Sequence, residues 1–161
     1  MMGVSHGQVP AHLEFAFETK VFFRADRCIF GPVPGGHHQG YTPCIGGEIT
    51  GPALTGEIVP DSGADYADVR PDGTVVINSH YLLRAKDGTN IYINNRGYLV
   101  PSAEGEGEVI GGVRQPAYFR FTPTFIVPEG PLGWLARTVF VGAGRRCTDP
   151  DHSIFSYYAV R

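Results

Sequence analysis

In the segment HLEFAFETKVFF, the apolar residues Leu13, Phe15 and Phe17 alternate with Glu14 and Glu18, the period-two pattern of a strand with one buried face. A first strand is predicted there, and residues 1–11 are expected to form a disordered N-terminal segment. GPVPGGHHQGYTP, residues 31–43, holds too many Gly and Pro for a regular element and reads as a flexible loop crossing one mouth of the fold. IGGEITGPALTGEIVP reads as two short strands broken at Gly51-Pro52, and DSGADYADVRPDG reads as turns ending in the hairpin signal Asp72-Gly73. The clearest hairpin joins TVVINSHYLLRAKDG to NIYINNRG across Asp87-Gly88. Within it, Val75, Ile77, Ser79, Tyr81 and Leu83 share one face, while Val76, Asn78, His80, Leu82 and Arg84 share the other. PSAEGEGEVIGG is acidic, Gly-rich and aperiodic, which predicts an exposed loop; YFRFTPTFIV, WLARTVFVGAG and SIFSYYAV supply three more strands. Eight or nine short strands, no convincing helix and no composition break predict one all-β domain over residues 12–161, a sandwich or a closed barrel.

Composition agrees and narrows the function classes. The 22 glycines and 13 prolines leave little room for long helices, and 42% hydrophobic with 18% charged residues excludes both a coiled coil and a disordered chain. A net charge of −3 offers no excess of Lys and Arg for a phosphate backbone, so no nucleic-acid partner is expected. No run approaches the ~18 apolar residues of a membrane helix, and the N-terminus lacks the order of a signal peptide. Gly7 stands where a myristoylation signal at Gly3 needs Ser or Thr. Cys28, Cys44 and Cys147 are odd in number and lack CxxC spacing, so neither a disulfide framework nor a zinc knuckle is expected. These features predict a soluble, cytoplasmic protein with no membrane partner.

The blocks GGEITGPALTGEIVPDSGADYADVRPDG, HYLLRAKDGTNIYINNRG, YFRFTP and WLARTVFVG together resemble the family called domain of unknown function 3237, over nearly the whole chain. Gly46-Gly47, Gly51-Pro52 and Gly56 match its glycine-rich strand pair, Gly63-Ala64-Asp65 its Gly-Ala-Asp turn, and Arg70, Asp72 and Gly73 the motif that follows. Tyr81, Asp87-Gly88, Tyr92 and Gly97 fit its central hairpin, and Tyr118-Phe119-Arg120 with Trp134-Leu135 fit its late strands. The resemblance implies a single up-and-down antiparallel β-barrel of about eight strands. His80, where the family usually carries Arg, and Ala136, where it usually carries Asn, depart from that pattern, so any contact they make with substrate is expected to differ.

A barrel of that size either fills its interior with side chains or holds one small ligand. Asp65 is the leading acid/base candidate, since a carboxylate partly buried at a barrel mouth has a raised pKa; the competing reading is an Asx-turn bonded to its own backbone. Tyr81 is either core or a proton donor; Tyr92, Tyr118 and Arg120 form a polar set in which Arg120 could hold an enolate or carboxylate while a phenol, Tyr92 as the catalytic candidate, donates a proton, unless Arg120 simply faces solvent. Arg70 and His80 are further substrate-binding candidates, His80 also as a titrating group, and Trp134 is either a stacking platform or core. His37-His38 with Glu48 or Cys44 matches no metal-site spacing, and no metal is expected. A GxSxG elbow is absent, and Glu104, Glu106 and Glu108 would repel a pyrophosphate near Gly105, Gly107 and Gly111, so no nucleotide cofactor is expected. The chain therefore reads as a cofactor-independent acid/base enzyme, an isomerase, cyclase or related lyase or hydrolase, on a small aromatic or polyketide-like metabolite inside the barrel. The alternative is a non-catalytic, lipocalin-like binding protein, and a homodimer is compatible with both.

Overall fold

The computed structural model describes residues 7–161. Its first strands are β1 (Leu13–Phe23), β2 (Cys28–Phe30), β3 (His38–Thr50), β4 (Gly56–Ile58), β5 (Gly63–Asp65), β6 (Asp68–Val69), β7 (Val75–Ala85) and β8 (Asn90–Val100). A small hairpin of β9 (Val109–Ile110) and β10 (Val113–Arg114) follows, then β11 (Tyr118–Ile126), a 3-10 turn at Gly133–Arg137, β12 (Phe140–Cys147) and β13 (His152–Val160). Residues 1–6 of the expected N-terminal segment lie outside the described residues, and residues 7–11 are exposed and without regular structure. No helix among the described residues is long and apolar enough to cross a membrane.

Each main strand pairs with its neighbours in chain order, β1 with β3 included, and the last strand, β13, pairs back onto β1. β4, β5 and β6 succeed one another in the gap between β3 and β7 and act as one interrupted strand. The fold is thus an all-β, closed, eight-stranded, up-and-down antiparallel barrel, in which closure removes the exposed sheet edges that would otherwise invite aggregation. The Asp72-Gly73 and Asp87-Gly88 turns form as expected. Asp72 and Asp87 each accept the N–H two residues on, at 2.9 Å, and Gly73 and Gly88 take φ values of 85° and 91° that favour glycine.

Four local expectations are corrected. A bulge between Phe15 and Phe17 reverses the side-chain parity of β1, so Leu13 and Phe15 are 57% and 42% exposed while Phe17 is fully buried. The loop at 31–43 ends at His37, because His38–Pro43 belong to β3 and are held by β2, β5 and β6. DSGADYADV is largely strand, since Gly63–Asp65 and Asp68–Val69 are paired on both sides. WLAR is a 3-10 turn rather than strand: Gly133 and Leu135 donate to carbonyls three residues back, and Thr138 Oγ1 closes the turn on the Trp134 carbonyl at 2.8 Å. The acidic loop carries the β9–β10 hairpin.

The interior has two unlike halves. At one end Phe17, Ile58, Leu83, Ile91, Ile93, Phe125 and Phe140 pack together, closed off by Leu135 from the 3-10 turn. Above this core lies a buried polar layer in which the Asn95 amide donates to the hydroxyls of Tyr157 (3.2 Å) and Tyr81 (3.4 Å), and Tyr157 donates to Asn95 Oδ1 (3.4 Å). Beyond that layer the same strands line open space with Phe23, Val75, Ile77, Leu99, Phe119 and Phe155. Gly142 and Gly144 let β11 and β12 share this wall, because a Cβ at either would overlap the Phe121 or Phe119 ring. Gly142→Ala is therefore expected to destabilise the barrel by about 1–3 kcal/mol in urea unfolding. Asn95→Ala, which strips two buried phenols of their partner, is expected to cost about 2–4 kcal/mol in the same measurement.

Candidate functional site

The open half encloses a cavity of about 220 Å³, room for one small molecule. Its walls are aromatic and aliphatic, and its polar lining is confined to Thr42, Asp65, Ser79, Asn95, Ser153, Arg146 and Arg27. Ile29 of β2 lies at the rim, 68% exposed, so this short strand bounds the mouth without covering it.

Asp65 reaches the cavity because β5 and β6 keep strand parity: Asp65, Ala67 and Val69 face inward and Tyr66 outward. Its Oδ1 accepts the Asn78 N–H at 3.1 Å from β7, so the Asx-turn alternative is not what forms at this position. Burial pushes its carboxyl up to about 6; the Asn78 hydrogen bond and then the charge of Arg146 pull the other way and are outweighed. Its direct cross-strand partners are Thr42 on β3 and Ser79 on β7, which place a hydroxyl residue on each side of the carboxylate at the cavity wall.

Arg146 enters from β12. It donates to Ser153 Oγ at 2.7 Å and to Asp151 Oδ1 at 2.6 Å, and its guanidinium lies 5.5 Å from the centre of the Phe23 ring. Arg27 pairs with the other oxygen of Asp151. Gln115 fixes the strand here, accepting the Arg146 N–H at 3.0 Å and donating to its carbonyl at 2.9 Å. Burial, and next the neighbouring charge of Arg27, lower the pKa of Arg146. Around the barrel, β5 and β12 are four strands apart in either direction, so Asp65 and Arg146 stand on opposite walls.

Of the residues singled out from sequence, Asp65 alone lines the cavity. Tyr81 lies below it, fully buried, its hydroxyl bonded to Asn95 and its pKa raised well above the ordinary value by burial. The others project elsewhere. His80 stacks on Tyr66 at 5.4 Å and meets Tyr92 at 6.1 Å on the outer wall. Arg70 lies over Tyr98 at 5.4 Å, while Arg120 lies over the exposed Tyr118 at 5.8 Å and donates to the Phe119 carbonyl. Strand parity explains His80, Tyr92, Tyr118 and Arg120, each of which alternates with residues that face inward, while Arg70 lies in the turn just past β6. Trp134 sits at the closed end, 5.7 Å from Phe140 with Arg161 5.8 Å from its ring. Among the described residues no three His, Cys, Asp or Glu side chains converge; Cys44 is buried, with burial raising its thiol to about 11, and Glu48 is exposed.

Arg146, Arg27, Asn95 and Ser153 were not legible as site residues from motifs, yet three of them carried a parity signal. Arg146 follows Phe140, Gly142 and Gly144 on one face, Asn95 follows Ile91 and Ile93, and Ser153 precedes Phe155 and Tyr157.

The comparisons with known proteins agree with this architecture. The chain is 32% identical to a UPF0311 protein of Clostridium acetobutylicum over 121 residues, 73% of this chain and 75% of that one. A β-barrel-like protein from Acinetobacter baumannii superposes with a TM-score of 0.84 at 27% identity, covering 98% of this chain and all of that one. A protein from Penicillium herquei described as an enzyme shares the fold at 18% identity, with a TM-score of 0.73 over 98% of this chain and all of its own. The family described as Protein of unknown function (DUF3237) matches residues 11–160, and the chain belongs to that family.

Proposed function

We propose that this protein is an enzyme that moves a proton on a small aromatic or polyketide-like molecule held in the open half of the barrel, in an isomerisation, cyclisation or related eliminative or hydrolytic step. The observation that carries this reading is Asp65, a carboxylate raised to about 6 by burial and facing a cavity walled by aromatic rings. Just above that value the group is ionised but retains strong proton affinity, which suits a general base near neutral pH. Thr42 and Ser79 on either side supply hydroxyl donors for negative charge developing on the substrate. Tyr81 contributes indirectly: with Tyr157 it fixes Asn95 and so shapes the cavity floor. The Penicillium herquei relative in fold, described as an enzyme, supports catalysis in a barrel of this shape.

A lipocalin-like carrier would use the same aromatic walls, and Asp65 separates the two readings. With substrates drawn from enolisable aryl ketones and aryl lactones, Asp65→Asn is expected to lower turnover by about 10²–10⁴-fold while the fold is kept. For the wild type, kcat/KM should rise with pH through a limb centred near 6. Unchanged turnover in the variant would refute the assignment.

The same group shapes stability. The folded state holds the Asp65 proton more tightly than the unfolded chain, so its contribution is full below the ordinary value of 3.8 and is lost as pH rises through about 6. Asn at this position does not titrate. Urea unfolding should therefore show the wild type losing about 2 kcal/mol relative to Asp65→Asn between pH 4 and 7.5.

A further inference from the structure

Arg146 and Arg27 share one carboxylate. Asp151 gives one oxygen to each, and both arginines line the cavity. Two of the five guanidinium N–H donors of Arg146 are taken by Ser153 and Asp151. The other three have no hydrogen-bond partner among the described residues. The Arg146 side chain is only 26% exposed, and a cation so far removed from water gains from more counter-charge than half of one carboxylate provides. Asp65 adds only a weak pull from across the cavity and forms no ion pair with Arg146, because it stands on the opposite wall and accepts the Asn78 backbone N–H. A brace for the β12–β13 turn would need only Asp151 and Ser153; it would not need the guanidinium to face a ligand-sized space.

From this arrangement we infer that the natural ligand carries a carboxylate, held by Arg146 and Arg27 on the β12 side, with its apolar body across the cavity and its reacting proton at Asp65. The carboxylate class follows from the clasp itself, since a planar guanidinium with free N–H donors matches a two-oxygen anion. Phe23 against Arg146, together with Phe119, Phe121 and Phe155, supplies faces for a flat ring system. The span from Arg146 to Asp65 crosses the barrel, so the acidic group and the reacting centre lie at opposite ends of the ligand. A carboxylate adjacent to the reacting proton would instead bring like charge against Asp65. The position of the reacting proton rests on the proposed catalytic role of Asp65; the anion clasp does not.

Calorimetric titration of the full chain with 2-naphthoate and with its neutral counterpart 2-naphthamide tests the clasp without any need for turnover. The wild type is expected to bind naphthoate at least about tenfold tighter than naphthamide. Arg146→Gln should bring the two within about threefold, chiefly by weakening naphthoate. Arg27→Gln, at the more exposed rim, should erode the preference in the same direction if Arg146→Gln fails to fold. Asp65→Asn should keep the preference and bind naphthoate as tightly or tighter, since it removes a negative charge from the cavity. Equal binding of the two ligands by the wild type, or a preference surviving loss of either arginine, overturns the carboxylate clasp and leaves the cavity reading standing. Binding of neither ligand overturns both.

Discussion

A closed eight-stranded barrel has to account for its interior, and in this chain the apolar filling stops halfway. The stop is the Tyr81–Asn95–Tyr157 layer, where three fully buried polar side chains satisfy one another and so cap the core without needing water. Below it, aliphatic and aromatic side chains from every wall meet at the centre. Above it Ser79, Ser153 and Asp65 interrupt the aromatic and aliphatic walls with side chains too short to fill the centre, and a cavity results. The same strands therefore build a stable base and a binding chamber, the difference being set by which residues occupy alternate positions.

Charge in that chamber is placed by the walls. Strand parity in the interrupted strand aims Asp65 inward from one side, and two small residues on β12 lead to Arg146 on the other. Because the two groups stand on opposite walls, they attract each other weakly without forming an ion pair. Each instead carries the effect of desolvation, upward for the carboxylate and downward for the guanidinium. This separation is what a ligand with one acidic end and one reactive end would exploit, and it keeps the base free of a permanent ion pair that would hold its pKa low.

The barrel was legible in the sequence because its signals are local and repeated: alternation in β7, β8 and β11, and Asp-Gly at two turns. The resemblance carried by the glycine-rich blocks supplied closure, which periodicity alone could not distinguish from a sandwich. The site was legible only at Asp65. Parity divides a strand into two faces but does not label the inner one, so Tyr92, His80, Arg120 and Tyr118 have the chemistry of site residues yet lie on the outer face. The β1 bulge shows the limit in another form, since one extra residue reverses Leu13 and Phe15 without any change in the apolar pattern. Arg146 is not legible because the apolar pattern WLARTVFVGAG ends at Gly144, two residues short of the side chain that faces the cavity.

The central claim is that Asp65 occupies a water-poor chamber that raises its proton affinity for use on a ligand. Its most direct test is a carboxyl-carbon NMR titration of selectively labelled protein, with the Asp65 resonance assigned by comparison with Asp65→Asn. A midpoint near 6 is the predicted result. A midpoint near the ordinary value of 3.8 would mean that water reaches the carboxylate freely, and would contradict the account.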